Sequence, residues 1–252
     1  MQSEQRLGGK VAIVTGGGRG LGATIARGLA AAGADVVVAS RKLENCEAVA
    51  AEIRSGGRRA LAASCHMGRS DDVDALFRAT LDAFGRVDIV VNNAATSPAA
   101  RPLIVGTPEL FDKIYAVNVR GPLQLASLAA ASMADSGGGA IVNVISVGAF
   151  RPGATIGLYC SSKAALHTLT KVMAQEWAPL GVRVNALAPG PFATDMVAAV
   201  TDEEFQRVMT DSTAMKRIAD PQEILGAVLY LVGDDATYTT GSTLTVDGGA
   251  LA

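Results

Sequence analysis

The sequence is poor in the residues that build disulfide frameworks and metal centres. Its 252 residues include only three cysteines and two histidines. Cys46, Cys65 and Cys160 are too dispersed to form a ligand pair, and three thiols cannot all pair with one another. This pattern is typical of a reducing compartment. We therefore predict neither a metal site nor a structural disulfide.

Long apolar runs and basic clusters are also absent. No run approaches the roughly 20 apolar residues of a membrane-spanning helix. The opening residues, Met1–Arg6, are polar and do not resemble a secretory signal. The formal net charge is −2, and no stretch is rich in Lys and Arg. We therefore expect a cytoplasmic protein with no membrane and no nucleic-acid partner.

Hydrophobic residues make up 49% of the chain, which is sufficient for a full core. Short branched apolar runs predict buried strands at Val11–Val14, Val36–Val38, Ile89–Val91, Ile141–Val144, Val182–Leu187 and Thr243–Val246, with a further strand running into Ser64. Helical patterns lie between them, at about Leu21–Ala32, Leu43–Ser55, Val73–Phe84, Pro108–Asn118 continuing to Met133, and Tyr159–Ala178.

This alternation of strands and helices predicts an α/β protein, a Rossmann-like doubly wound parallel sheet with helices on both faces. No linker, repeat or low-complexity segment interrupts it, so residues 1–252 are expected to form a single domain. A different parallel fold, such as a flavodoxin-like one, fits the length and the motifs below less well.

A glycine-rich loop follows the first strand and leads directly into a helix. Gly16, Gly18 and Gly20 would let the backbone approach a pyrophosphate, with Arg19 and Leu21 at the start of the helix. The helix N-terminus would offer unpaired N–H groups to the anion. Any tight turn can use such glycines, but their position between a buried strand and a helix favours a dinucleotide site.

The second strand ends at Ser40, Arg41 and Lys42. NAD-preferring sites carry an acidic residue here, which accepts hydrogen bonds from the adenosine ribose. Arg41, together with Arg19, could instead bind a 2′-phosphate. The two cations could also be a solvated helix start. We favour NADP as the cofactor, with NAD possible.

The third and fourth strands end in small or polar residues. His66 and Met67 follow the third strand, and Asn93 and Ala94 follow the fourth. Small residues there would let a cofactor lie flat over the edge of the sheet, although the second pair could equally be a simple turn. We include all four as candidates for cofactor binding.

Tyr159 and Lys163 lie four residues apart on a predicted helix and therefore share one face. A free phenol, with a pKa of about 10, is a poor acid–base group at neutral pH. A nearby ammonium would favour the phenolate. Alone, such a pair usually means a surface tyrosine stacked on a lysine.

Two further polar residues give the pair its context. Ser146 comes just after a predicted strand, at the edge where open α/β sheets bind ligands. Asn118 interrupts an apolar helix, and a buried amide needs partners. Those partners could be a water wire to Lys163, or Asn118 could be a satisfied core amide at a helix bend.

Together these residues resemble the short-chain dehydrogenase/reductase family over nearly the whole chain. The matching motifs occur in family order: Thr15-Gly16…Gly20-x-Gly22, Asn92-Asn93-Ala94, Asn118, Ser146, Tyr159-x-x-x-Lys163 and Pro189-Gly190. The resemblance implies that Tyr159 is the catalytic acid–base residue and that Ser146 orients the substrate. It implies that Lys163 lowers the pKa of Tyr159 and holds the nicotinamide ribose, and that Asn118 carries a proton relay.

The resemblance also implies a nicotinamide-binding turn at Pro189 and Gly190, followed by contacts to the carboxamide from the Phe192 backbone and the Thr194 hydroxyl. Two positions depart from the family pattern. The usual Gly after Asn92-Asn93-Ala94 is Ala95, which adds bulk near the cofactor. The Asp that is usual after the third strand is replaced by His66, which puts the adenine contact in doubt.

The segment from about 192 to 217 should form a lid over the substrate. Its apolar residues are Met196, Val197, Val200, Phe205, Val208, Met209 and Met215. They suit a medium-sized apolar substrate, or they simply pack the lid onto the body. Arg151 could read a substrate anion, although a solvated arginine is more usual in such a loop.

By this resemblance the protein is an oxidoreductase that transfers a hydride between a nicotinamide cofactor and a ketone or secondary alcohol. Carbonyl reduction by NADPH, as in 3-oxoacyl reductases, is the expected direction. The resemblance also implies a homotetramer. A non-catalytic dinucleotide sensor and a sugar-nucleotide epimerase or dehydratase are the alternatives. The first predicts loss of Tyr, Lys or Ser, and the second a larger C-terminal domain.

Overall fold

The computed structural model describes residues 6–97, 101–194 and 203–252. Within them, the chain forms a sheet of seven parallel strands. The strands are β1 (Val11–Thr15), β2 (Asp35–Ser40), β3 (Ala60–Ser64), β4 (Ile89–Asn92), β5 (Gly139–Val144), β6 (Val182–Pro189) and β7 (Thr243–Val246).

The strand order is β3-β2-β1-β4-β5-β6-β7, so the winding reverses between β1 and β4. The carboxyl ends are aligned across this point, with Val14 of β1 beside Val91 of β4. Ligands of open α/β sheets bind at such a reversal, where the two loops diverge and leave a crevice. The predicted doubly wound parallel sheet is confirmed.

Helices cover both faces of the sheet. They are α1 (Gly20–Ala31), α2 (Leu43–Ser55), α3 (Ser70–Phe84), α4 (Pro108–Tyr115), α5 (Gly121–Asp135), α6 (Gly157–Trp177), α7 (Glu203–Asp211) and α8 (Leu225–Val232). One face packs against α1, α2 and α8, and the other against α3, α5 and α6. Successive strand residues alternate between these cores: Val36 and Val38 face one, and Val37 the other. Both faces are therefore apolar, as the branched strand sequences predict.

Two elements differ from the sequence prediction. The helix expected over 108–133 is interrupted by a wider π turn at Ala116–Arg120, which contains the polar Asn118. The strand before Ser64, β3, is Ala-rich and only partly buried because it lies at the edge of the sheet. Its composition gives a weaker apolar signal than the central strands do.

In the described part of the chain, no helix has the length and hydrophobicity needed to cross a bilayer. The three cysteines are buried and unpaired.

Candidate active site

The loop after β1 leaves no room for side chains at its glycine positions. Gly16 has a φ of +66°, a conformation that residues with a Cβ rarely adopt. A Cβ on Gly16 would lie 2.7 Å from Asn93 Nδ2, and one on Gly18 would lie 2.9 Å from Ser40 Oγ. Gly22 is the tightest, since its Cβ would lie 2.1 Å from the Gly16 carbonyl oxygen. Bare backbone therefore connects β1 to α1, as close approach of a pyrophosphate requires.

Helix α1 begins without a capping side chain. Its N-cap residue, Arg19, makes no side-chain cap hydrogen bond, and no acidic residue lies in the first turn from Gly20. The first N–H groups and the positive end of the helix dipole can therefore attract an anion. Leu21 packs its side chain against the core, so only its backbone can contact a ligand. The bare loop and the uncapped helix fit the pyrophosphate of a dinucleotide.

We expect Gly22→Ala to lower the free energy of unfolding by about 1–3 kcal/mol, because the added methyl group would clash with backbone. Gly226→Ala is the matched control, since a Cβ on this helical glycine meets nothing within 4 Å. That substitution should raise stability by up to about 1 kcal/mol. Urea unfolding of the two variants measures both effects, and equal changes would contradict the proposed fit of the loop.

Basic side chains lie open at the end of β2. The Ser40 hydroxyl donates to the Lys42 carbonyl oxygen at 3.2 Å and lies 3.0 Å from Cys46 Sγ. The side chains of Arg41, Lys42 and Arg19 are exposed. None of these three forms an ion pair with another described residue. The end of this strand therefore offers uncompensated positive charge.

The end of β4 is fastened to the glycine-rich loop. The Thr15 hydroxyl accepts hydrogen bonds from the backbone N–H groups of Asn93 and Ala94, both at 3.1 Å. Asn93 Nδ2 donates to the Thr15 carbonyl oxygen at 2.9 Å. The structure thus brings Asn93 and Ala94 to the floor of the crevice, and the Asn93 side chain supports the loop.

His66 and Met67 lie just after β3, where the sequence places them, but the polar groups of His66 form hydrogen bonds within the segment that follows the strand. His66 Nδ1 accepts the Gly68 N–H at 3.1 Å, and the His66 N–H donates to Asp72 at 2.9 Å. The Met67 carbonyl packs against Gly121, where a Cβ would lie only 2.0 Å away. Contact of either residue with adenine stays a prediction.

The turn after β6 closes over the glycine-rich loop. Pro189 ends the strand, and the Gly190 N–H donates to the Val246 carbonyl oxygen at 2.9 Å. Phe192 is buried in the core, so its backbone is the part available to a ligand. Thr194 faces the loop after β1, because a Cβ on Gly20 would lie 3.6 Å from the Thr194 Cβ. Contact of Phe192 and Thr194 with the carboxamide stays a prediction.

Ser146 and Tyr159 meet at the carboxyl edge of β5. Ser146 adopts extended backbone two residues beyond β5, and its Oγ accepts the Gly148 N–H at 3.0 Å. Tyr159 lies in the first turn of α6, near Ser146, whose side chain lowers the pKa of the phenol. The Tyr159 side chain is partly exposed to solvent. The hydroxyl pair can therefore hold one substrate oxygen and deliver a proton to it.

Lys163 lies on the same face of α6 as Tyr159, as its spacing predicts, and is 2% exposed. Its Nζ donates to the Val144 carbonyl oxygen at 2.7 Å and lies 5.8 Å from the centre of the Tyr159 ring. Burial lowers the pKa of Lys163 to about 8.

The lowering of the Tyr159 pKa by Lys163 stays a prediction. Burial raises the pKa of Tyr159 above its usual value, and the hydrogen bond to Ser146 only partly offsets this. The Lys163 ammonium group donates to the Val144 carbonyl oxygen. Tyr159 is therefore a neutral phenol at physiological pH.

Asn118 is fully buried within the π turn, and its side chain is satisfied. Its Oδ1 accepts the Thr96 N–H at 2.8 Å. Its Nδ2 donates to the Thr96 carbonyl oxygen and to Ser162 Oγ, both at 3.0 Å. These contacts are those of a core amide at a helix bend, and a role of Asn118 in a proton relay stays a prediction. The amide holds the loop after β4 against α6, beside Tyr159.

The predicted lid is described only in part. Met196, Val197, Val200 and the Phe205 side chain lie outside the described residues. Val208 and Met215 are exposed, and the Met215 N–H donates to the Gly248 carbonyl oxygen at 2.9 Å. The lid stays a prediction. Arg151 donates to the carbonyl oxygen of Ala250 at 3.1 Å, so it serves the C-terminal segment rather than a substrate anion.

Sequence reasoning missed several residues that shape the site. The sequence motif names Thr15 but gives it no role, although a hydroxyl that ends an otherwise apolar strand is a signal for one. Ser162 also gives a signal, since it lies one residue before Lys163 on the helix that carries the tyrosine. Arg101 gives none: only the folded chain places it beside Tyr159 in a cavity wall.

A phosphate cradle at the first strand–helix turn, with a Tyr–Ser pair at a neighbouring strand end, defines the class of protein as a Rossmann-type dinucleotide-binding oxidoreductase. The family model described as "Enoyl-(Acyl carrier protein) reductase" matches residues 16–250. "Dehydrogenase/reductase SDR family member 4" of Sus scrofa is 38% identical over 250 residues, which cover 99% of this chain and 90% of that protein. The chain belongs to the short-chain dehydrogenase/reductase family.

Solved structures agree in fold and length. A gluconate 5-dehydrogenase from Burkholderia cenocepacia, in complex with NADP and tartrate, is 35% identical with a TM-score of 0.93. The match covers 98% of this chain and 97% of that one. A 7α-hydroxysteroid dehydrogenase, complexed with NADH and 7-oxo glycochenodeoxycholic acid, is also 35% identical with a TM-score of 0.93, over 98% and 96% of the two chains. The protein is therefore an NAD(P)-dependent oxidoreductase acting on CH–OH or C=O groups.

Proposed function

We propose that this enzyme reduces a ketone carbonyl with NADPH, in the manner of 3-oxoacyl reductases or related enzymes. Tyr159 donates a proton to the carbonyl oxygen, and Ser146 orients that oxygen by a second hydrogen bond. The position of Tyr159 beside Ser146 at the carboxyl edge of β5 carries the proposal. A phenol that retains its proton can give it to the developing alkoxide, whereas oxidation of an alcohol would require the phenolate.

The residues at the strand ends would hold the nicotinamide dinucleotide, which supplies hydride transfer when bound. The loop from Gly16 to Leu21 would bind the pyrophosphate. The turn from Pro189 to Thr194 would fix the nicotinamide carboxamide, and Lys163 the nearby ribose. Asn118 would position Thr96 and Ser162 around the tyrosine, and its role in a proton relay is part of the proposal.

Assembly as a homotetramer, a single domain over the whole chain and a cytoplasmic location belong to the same proposal. Family membership and the complete set of Asn118, Ser146, Tyr159 and Lys163 favour an enzyme over a non-catalytic sensor. A panel of ketones, assayed by loss of NADPH absorbance, tests the function directly. An enzyme that binds NADPH but turns over none of them would contradict it.

The preference for NADP is expected to depend on Arg41. The two solved relatives bind NADP and NADH respectively, so membership of the family does not decide the cofactor. Arg41→Ala should weaken NADPH binding by roughly 10-fold or more, because a charge-assisted hydrogen bond to the 2′-phosphate is lost. NADH binding should change little.

Fluorescence titration with both cofactors measures this effect. Arg78→Ala is the control, because it removes the same charge from an exposed position on α3. Wild-type enzyme that binds NADH more tightly than NADPH, or an Arg41→Ala variant with unchanged NADPH binding, would overturn the assignment.

A further inference from the structure

The first turn of α6, which carries Tyr159, has little support from its own sequence. The helix begins at Gly157, a residue type that lowers helix stability, and its N-cap residue, Ile156, provides no capping side chain. Thr155, just before it, has a φ of +67°, an unfavourable conformation for a β-branched residue. Because helix ends fray, Tyr159 needs contacts from outside this turn to hold its position.

Ser162 provides such a contact. Its side chain is fully buried. Its Oγ donates to the Tyr159 carbonyl oxygen at 2.7 Å and accepts a hydrogen bond from Asn118 Nδ2 at 3.0 Å. The hydroxyl therefore uses its donor and one of its acceptor sites in two different directions. One oxygen atom joins the backbone of Tyr159 to the side chain of Asn118.

Asn118 is itself fixed to a second segment of the chain. Its amide both accepts from the N–H and donates to the carbonyl oxygen of Thr96, which follows β4. The hydrogen bonds from Thr96 through Asn118 and Ser162 thus connect the end of β4 to the first turn of α6. Lys163 connects the same helix to β5 through the Val144 carbonyl oxygen. The turn that carries the phenol is held from two strands.

We infer that Ser162 is a positioning residue, which holds the Tyr159 backbone so that the phenol stays aligned with the substrate oxygen. The inference rests on the proposed function, in which Tyr159 is the acid. Ser162 acts only through Tyr159 in this role and touches neither substrate nor cofactor. Proton transfer requires heavy-atom distances of roughly 2.6–3.2 Å, and a displacement of about 1 Å can reduce a rate by about 100-fold. A loosened first turn should therefore slow the chemical step.

Ser162→Ala removes the hydroxyl and leaves a side chain that fits the same space. We expect kcat for the best ketone of the panel to fall by roughly 10-fold, because the phenol is aligned for a smaller fraction of the time. KM and the Kd of NADPH should stay within about twofold, since neither ligand contacts Ser162. Single-turnover oxidation of bound NADPH measures the chemical step separately from product release.

Thr170 offers a matched control on the same helix, about two turns after Ser162. It is also fully buried, and its Oγ1 donates to the Leu166 carbonyl oxygen at 2.8 Å and accepts from Asn143 Nδ2 at 2.9 Å. Thr170→Val removes a hydroxyl with the same kinds of partner and keeps the side-chain shape. Both variants should lower the midpoint of urea unfolding, because each leaves a buried amide with one hydrogen bond fewer. Only Ser162→Ala should lose kcat.

Amide hydrogen exchange gives a readout that does not depend on turnover. The Cys160 N–H donates to the Ile156 carbonyl oxygen at 3.0 Å and reports the opening of the first turn. Its exchange should be faster in Ser162→Ala than in wild-type protein and unchanged in Thr170→Val. In the Tyr159→Phe background, Ser162→Ala should cause little further loss of rate, because the phenol that it positions has been removed.

The outcomes separate the two proposals. Unchanged kcat in Ser162→Ala, or a loss no larger than that of Thr170→Val, would overturn the positioning role and leave carbonyl reduction intact. Losses that multiply in full in the double variant with Tyr159→Phe would also overturn it, because the hydroxyl would then act elsewhere. Faster Cys160 exchange in Ser162→Ala, together with a wild-type protein that reduces no ketone, would contradict the proposed function and retain the anchoring of the turn.

Discussion

Replacing Tyr159 by phenylalanine is expected to reduce kcat/KM for ketone reduction by roughly 10²- to 10⁴-fold, the contribution of a positioned general acid. The substitution removes one oxygen from a side chain whose ring packs in the first turn of α6. The substitution leaves the glycine-rich loop unchanged, so NADPH binding should stay within about twofold. Steady-state assays and fluorescence titration of the same variant give both values.

The pH profile supplies a second readout for Tyr159. Because burial raises the pKa of this phenol, it stays protonated through neutral pH, and reduction should be constant there and fall only at alkaline pH. The reverse oxidation should rise with pH over the same alkaline range, since it needs the phenolate. Tyr159→Phe should lose both dependences. Retained turnover in this variant, with an unchanged alkaline limb, would exclude Tyr159 as the acid.

The central part of the fold follows from local sequence patterns. Strands such as β1 and β6 are short branched runs that must be buried on both faces, and their positions agree with prediction to within two residues. The edge strand β3 is harder to predict because half-buried alanines have no strong preference. The π turn around Asn118 cannot be predicted from neighbouring residues, since it depends on hydrogen bonds to Thr96 and Ser162.

The site divides in the same way. The glycine-rich loop and the Tyr159–Lys163 pair are local, so spacing alone predicts which residues meet. Their electrostatics are not local. Whether Lys163 lowers the pKa of Tyr159 depends on the direction of its ammonium group, and the packed structure directs that group to Val144. The hydrogen bond from the Arg101 N–H to the Thr155 carbonyl oxygen joins two loops far apart in sequence, and no local pattern predicts it.

Lys163→Met is expected to abolish a rise in stability with alkaline pH, as well as to lower activity by about 100-fold or more. An unfolded lysine keeps its proton up to a pH near 10.5, whereas burial lowers the pKa of Lys163 in the folded protein to about 8. Between these values unfolding takes up a proton, so the free energy of unfolding increases with pH. The total increase is on the order of 3 kcal/mol, because each pKa unit corresponds to about 1.4 kcal/mol.

Other groups titrate in this range, so the prediction concerns the difference between wild-type and variant proteins. Tyr159 has the opposite effect: its pKa is raised in the folded state, so the free energy of unfolding falls with pH above the unfolded value of about 10. The difference between the two proteins in urea unfolding from pH 7 to about 10 therefore isolates the lysine, because the raised pKa values of Cys46 and Cys65 affect both alike. Lys171→Met is the matched control, because Lys171 is exposed on the same helix and should keep the wild-type slope. If the Lys163→Met variant gained stability with pH as steeply as the wild-type protein, the lowered pKa of buried Lys163 would not be the cause of that rise.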